Sequence, residues 1–346
     1  MQGESDMKKS FRNRVLAVCM AASMSFLLLS GFDSSLTVED VTKKLNESLA
    51  AQGGLNCDVQ GIADLSIDVS AGEETQSMGI SGSLDYSVQF TLDPFVMSVR
   101  GILSGDASAM GMSGGMEIEM YLVEQDDGTG IMYVRMPQED DAGWHAAALA
   151  SDYMDSTLGA VKAAFGGDLE ADASGMGLDL SSLQEILGSN ASLAPEAVNV
   201  NGVDCYEITQ TVDGEALYSV ISEVLDAMPQ AGLDSASLAA FQMLFNGIRM
   251  DLETDCAVDD FAPVYASVDL GGSDFSTVGQ MFGAMMMQTQ DASQTPDVSV
   301  NVNALNLSMN YGDVPEQIDI PAQALAAQVE TTLSMEDLTA ATQSSD

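Results

Sequence analysis

Residues 55–69 read LNCDVQGIADLSIDV, with apolar side chains at Leu55, Cys57, Val59, Ala63, Leu65, Ile67 and Val69. Residues 78–92, MGISGSLDYSVQFTL, place them on the even positions instead: Met78, Ile80, Leu84, Tyr86, Val88, Phe90 and Leu92. The residues between are mainly Ser, Asp, Gln, Asn and Gly. Successive side chains of an extended strand point to opposite faces, so this alternation means strands with one face on a core and one in water. Antiparallel sheets permit that arrangement, whereas parallel sheets are buried on both faces.

The pattern continues on both sides. Phe95, Met97 and Val99 follow Pro94, then Met112, Met116, Ile118, Met120 and Leu122, then Met132, Val134 and Met136. The segments 71–75, 124–130 and 138–143 between these runs are rich in Gly, Asp and Glu and read as hairpin turns. Upstream, residues 36–51 predict an amphipathic helix. Thr37 and Asp40 form a capping-box variant, Val38, Val41, Leu45 and Leu49 share one stripe, and Gly53-Gly54 ends it. Downstream the period changes to three and four, predicting helices over 153–165, 180–187, 215–228 and 235–245. A strand pair, 198–200 and 203–211, lies among them, joined at Asn201-Gly202. Strands around 248–252 and 264–270 follow, then a helix over 275–287 and a loop over 288–296. A last strand spans 298–311, whose apolar parity changes between Ala304 and Leu305, the mark of a β-bulge. No Pro-rich or Gly/Ser linker divides the chain, which favours one continuous sheet in one domain over 33–332, with a flexible tail over 333–346.

The first thirty residues have a different character. Lys8, Lys9, Arg12 and Arg14 precede an apolar run, Val15 to Leu29, which is the pattern of an export signal and short for a membrane span. The run ends in Leu29-Ser30-Gly31-Phe32, similar to a bacterial lipobox with Phe32 where the lipidated cysteine belongs. Residues 1–32 are therefore an export signal or an N-terminal anchor. Release, an uncleaved anchor and a lipoprotein that has lost its lipid all fit.

Ten Lys and Arg stand against 53 Asp and Glu, a net charge of −43. So acidic a chain lacks the basic footprint of a nucleic-acid binder. It is nonetheless 46% hydrophobic and only 18% charged, which is the composition of a folded protein rather than a disordered one.

Catalytic signatures are weak. Gly111-Met112-Ser113-Gly114-Gly115 matches the G-x-S-x-G elbow, but it heads an alternating strand with no helix after it. His145 is the lone histidine, and no C-x-x-C or H-E-x-x-H accompanies it, so neither a zinc site nor a catalytic residue is expected. His145 reads as a surface or strand-edge residue and Trp144 as a packing anchor. The acidic turns Asp126-Asp127-Gly128 and Glu139-Asp140-Asp141 do not match an EF-hand loop.

Cys57, Cys205 and Cys256 follow the signal. In an exported protein Cys205 and Cys256 are the expected disulfide pair, and three buried thiols are the alternative. Twenty-three methionines are the more telling feature. Met281, Met285 and Met286 share a helix with Phe282, and flexible thioethers suit irregular apolar ligands as well as core filling.

Several segments resemble the LolA/LppX-like envelope lipoproteins, in a Gram-positive branch. They are Met120-Tyr121-Leu122 with Ile131-Met132-Tyr133-Val134-Arg135 and Gly143-Trp144, then Val203-Asp204-Cys205-Tyr206-Glu207-Ile208 leading into Asp213-Gly214-Glu215-Ala216-Leu217, and the closing Asn310-Tyr311-Gly312 with Ile318-Asp319-Ile320-Pro321. The resemblance covers most of 36–327 and implies an α+β fold: an open, strongly curved antiparallel β-sheet, a half-barrel, with helices packed on the concave face. It also implies an exported, non-enzymatic carrier or binder of a hydrophobic, lipid-like molecule. Such a protein works at the cell envelope, outside the cell or on the outer face of the cytoplasmic membrane, and associates with membrane through the N-terminal segment. The apolar face of the sheet, with Met243, Phe245, Met281, Phe282, Met285 and Met286, is the expected cavity lining. No cofactor is expected. The alternative reading of the acidity is an envelope interaction module that binds cationic partners or calcium.

Overall fold

The computed structural model describes residues 36–71, 74–107, 112–137, 143–155, 158, 161, 190–219, 242–243, 245–277, 279–280 and 297–334. Helix α1 (Val38–Gln52) opens the fold. Thr37 caps it as expected: its hydroxyl accepts from the Asp40 amide at 3.1 Å, and the Asp40 carboxylate accepts from the Thr37 amide at 3.2 Å. Gly53, left-handed at φ 66°, turns the chain straight into the first strand.

Thirteen strands form one sheet: β1 (Gly54–Ala71), β2 (Glu74–Leu92), β3 (Phe95–Ala107), β4 (Met112–Glu124), β5 (Gly130–Arg135), β6 (His145–Leu149), β7 (Ser192–Leu193), β8 (Val198–Val200), β9 (Val203–Asp213), β10 (Arg249–Ala257), β11 (Pro263–Asp269), β12 (Asp297–Tyr311) and β13 (Val329–Leu333). The order across the sheet is β13-β6-β5-β4-β3-β2-β1-β12-β11-β10-β9-β7, with β8 also on β9. The end strands do not pair, so the sheet is open. Among the described residues all pairings are antiparallel except β13 with β6. The topology is that of the expected open half-barrel. β1 and β12, far apart in sequence, meet at its centre.

The apolar alternation becomes one continuous face. Reading across the register, Ile208, Thr254, Ala266, Met309, Val59, Tyr86, Gly101 and Ile118 stand in a single row over eight strands. The next row runs Tyr311, Cys57, Val88, Val99, Met120 and Val134. All of them but Thr254 and Gly101 belong to the main core, where α1 contributes buried Val41, Leu45 and Leu49. Each such side chain stabilises by about 1.5–3 kcal/mol when removed from water. Met154, Leu158 and Val161, three and four apart in the helix expected over 153–165, are buried in the same core. The opposite face carries Asp, Ser, Asn and Gln over β1, β2 and β12. At β4–β6 that face has its own small core of Tyr121, Tyr133, Ala146, Ile318 and Ala324. The chain around α2 (Ala322–Leu325) covers it, and Trp144 packs there with its ring 5.7 Å from that of Tyr121.

The predicted bulge in β12 is present one residue earlier than expected. Asp64 pairs with Ala304 and Leu65 with Val302, leaving Asn303 as the extra residue. The β8–β9 turn is as read, with Asn201 and Gly202 both at positive φ, 54° and 89°. Three short strands escaped the periodicity, β6, β7 and β13. Leu333, at the end of β13, packs against the core, and its carbonyl accepts from the Ala150 amide at 2.9 Å. Residues 1–32, the helix over 180–187 and most of the helices over 215–228 and 235–245 lie outside the described residues.

Gly101 offers a test of the face assignment. A Cβ there meets the Asp85 carbonyl oxygen at 2.2 Å and the Tyr86 ring at 2.6 Å. Gly101→Ala is expected to destabilise by about 1–3 kcal/mol through overpacking. Ile102→Ala, on the wet face next to it, is expected to change stability by no more than about 0.5 kcal/mol. Urea unfolding of the two variants reads the difference.

Candidate functional site

The apolar face is the largest feature the strands build, and α1 defines how much of it is covered by described helix. α1 rests on β1 and β11. Its attachment is specific: the Lys44 ammonium lies 4.4 Å over the Phe261 ring, and that ring stacks on Tyr206 at 5.4 Å. The apolar rows continue past this contact to Ala147 and Leu149 on β6 in one direction and to Tyr206 and Ile208 on β9 in the other.

Three polar side chains interrupt this face. Gln210 ends the row that runs Leu252, Val268, Leu307, Gly61, Leu84 and Leu103. It is 4% exposed, and neither its amide nitrogen nor its oxygen has a protein partner. Thr254 is its diagonal neighbour on β10, and its buried hydroxyl is also without a partner. Thr42 adds a second such hydroxyl from the buried side of α1. A buried polar group left unsatisfied costs about 1–3 kcal/mol, so these atoms mark where a polar partner is owed. The sequence signal was present: Gln210 and Thr254 occupy the apolar parity of their strands.

The expected lining residues fall in different places. Met243 is 57% exposed in a short helical stretch, and Phe245 is half-buried with its ring 6.5 Å from that of Tyr218. Met281, Phe282, Met285 and Met286 lie outside the described residues. The beginning of their helix is described: residues 276–277 and 279–280 are helical, and Gly279 is buried against Val298 and Val300 on the apolar parity of β12.

Cys205 and Cys256 are free thiols, as is Cys57. The pairing expected of Cys205 with Cys256 is not formed, and the register gives the reason. Cys256 stands opposite Tyr206, and Cys205 stands opposite Ala257, one position out of step. Because directly opposite residues share a face, the two thiols point to opposite sides of the sheet and cannot close a disulfide without moving backbone. Burial, aided by Asp58, pushes Cys57 up to about 12. Burial, aided by Cys205, does the same to Cys256.

The elbow-like serine is a strand residue. Ser113 lies in β4 and pairs with Asp106, whereas His145 pairs with Val134 on β5, itself opposite Met120. Seven residues of extended chain separate Ser113 from Met120, about 23 Å along β4. His145 sits at the β6–β13 edge with Nδ1 3.3 Å from Glu330.

No protein-family model and no curated protein matches the chain. Among solved structures it is similar to the lipoprotein LppX of Mycobacterium tuberculosis, with 11% identity over 81% of this chain and 97% of that one, at a TM-score of 0.31. It is also similar to LprF of Mycobacterium bovis, with 10% identity over 82% and 97% of the two chains, at a TM-score of 0.31. A putative outer membrane lipoprotein-sorting protein domain from Vibrio parahaemolyticus is 8% identical over 81% and 94%, at a TM-score of 0.19.

The thiol environments make a direct prediction. At pH 8 in native conditions Cys57, Cys205 and Cys256 are expected to resist iodoacetamide for hours. In denaturant all three alkylate at once without added reductant. Peptide mapping by mass spectrometry reads the labelling, and a Cys205–Cys256 cross-linked peptide contradicts the register.

Proposed function

We propose that the protein is an exported, non-enzymatic carrier or binder of a hydrophobic, lipid-like ligand at the cell envelope. The observation that carries this reading is the single apolar face, continuous over eight strands in register and wider than the one long described helix that rests on it. Apolar concavities with a few placed polar groups are the usual form of small-molecule sites. Here the polar groups are Gln210, Thr254 and Thr42, whose unpaired atoms suit the head of an amphipathic molecule whose chain lies along Leu252, Val268 and Leu307. The helix carrying Met281, Phe282, Met285 and Met286 begins on this same face at Gly279 and Val298, which supports those residues as further lining. The envelope location rests on the basic and apolar N-terminal segment, through which the protein associates with membrane.

Native mass spectrometry and solvent extraction of the purified protein test the reading, together with uptake of a fluorescent fatty acid. A bound lipid or saturable uptake supports it, and a ligand-free protein that takes up no probe overturns it. Gln210→Leu separates binding from folding. Removing an unpaired buried amide is expected to leave stability unchanged or raised. Affinity for a fatty acid with a free carboxyl is expected to fall about five- to tenfold, while affinity for its methyl ester falls less.

A further inference from the structure

The opposite face of β9 and β10 holds three carboxylates that the apolar site does not use. Asp255 stands directly across from Glu207, and Glu253 is the next residue on the same face of β10. Their oxygens all lie within 4.8 Å of one another. Acids facing each other across a pair of strands repel. Asp255 is also wholly buried (0% exposed), and no donor reaches either of its oxygens. Burial, then Glu253 and Glu207, push it up to about 7. A buried carboxylate with no counter-charge is costly unless a proton or a cation neutralises it.

We propose that Glu207, Glu253 and Asp255 bind one calcium ion. All three ligands are hard oxygens. Cys205, on the same face, donates its Sγ–H to the Val203 carbonyl at 3.5 Å instead. Calcium–oxygen bonds of 2.3–2.6 Å allow two ligands of one ion to stand up to about 4.6–5.2 Å apart, which accommodates the observed spread. Calcium takes six to eight oxygens, so water and neighbouring hydroxyls complete the shell. A groove of about 430 Å³ opens beside Glu253 and supplies them. Ser192, Thr209, Ser267, Asp251 and Asp269 line it, giving the ion an oxygen-rich entry path. On β11, Tyr265 stands opposite Asp255, where Val264 forms a bulge.

The test uses the full chain, stripped with chelator. Titration with CaCl₂ is expected to show one saturable site with a rise in Tm, and TbCl₃ is expected to give luminescence sensitised by Tyr265. Asp255→Asn keeps the shape and removes one repelling charge, so the calcium-free variant is expected to melt no lower than the parent. It is expected to lose at least tenfold in calcium affinity together with most of the terbium signal. Glu207→Gln serves as a second variant with the same expected loss. Calcium uptake that is equal in the parent and both variants is diffuse screening of the acidic surface and overturns the proposal. So does no uptake at all, or a preference for MgCl₂ over CaCl₂.

Discussion

Everything in this fold depends on the parity of the β1–β12 pairing. The two strands come from opposite ends of the chain, yet fourteen residue pairs join them. Because side chains alternate with period two, a slip of one residue turns every apolar group of a strand to the wet side. The parity of β12 itself changes part-way, and Asn303 absorbs the change as an extra residue. Val298, Val300 and Val302 before it and Leu305, Leu307 and Met309 after it thus stay with the apolar residues of β1. The side chain of Asn303 is not idle, since its amide donates to the Asp64 carboxylate at 3.2 Å. With this register held, β1–β6 extend the face one way and β9–β12 the other.

What was legible in the sequence follows from that physics. Long alternating strands and capped ends carry their signals locally. Thr37 with Asp40, Gly53, Asn201-Gly202 and the parity change in β12 each name a structure through a single steric or hydrogen-bonding need. Short edge strands do not. Ser192–Leu193 is two residues long, and β13 (VETTL) is almost wholly exposed, so neither shows a buried parity to read. The cysteines illustrate a further limit. Cys205 and Cys256 lie in neighbouring strands, but which face each occupies depends on register to within one residue, and that comes from pairing over the whole length of β9 and β10. The same holds for the carboxylates. The acid-rich composition is plain in the chain, whereas the meeting of Glu207 with Asp255 appears only when the strands are aligned.

The partner of the apolar face is a matter of geometry as well as composition. Its rows are regular because bulky side chains close over small ones, as Tyr86 does over Gly101. Packed interiors of this kind tolerate little unfilled space and few unpaired polar atoms. Gln210 and Thr254 violate the second condition side by side, at the end of an apolar row. A purely structural core has no use for them there, since Leu or Val at the same parity would cost less. A face that holds an amphipathic ligand, as proposed above, does.

The acidic surface divides into two regimes on the same physical ground. With ten basic residues for 53 acidic ones, salt bridges cannot neutralise the coat. Over β1 and β12 it is held by amides instead. Asn301 donates to Asp68 at 3.0 Å, Asn303 donates to Asp64, and neutral Ser and Gln separate one acid from the next. These acids face water, where repulsion is screened and hydration is retained. At β9–β10 neither device operates. Asp255 is out of water, its register neighbour is Glu207 rather than an amide, and its oxygens accept from no donor. An arrangement that the chain avoids along its longest strands, and adopts at one buried position, differs in kind from the solvated coat. A proton or a cation has to neutralise it, and calcium is the cation proposed here.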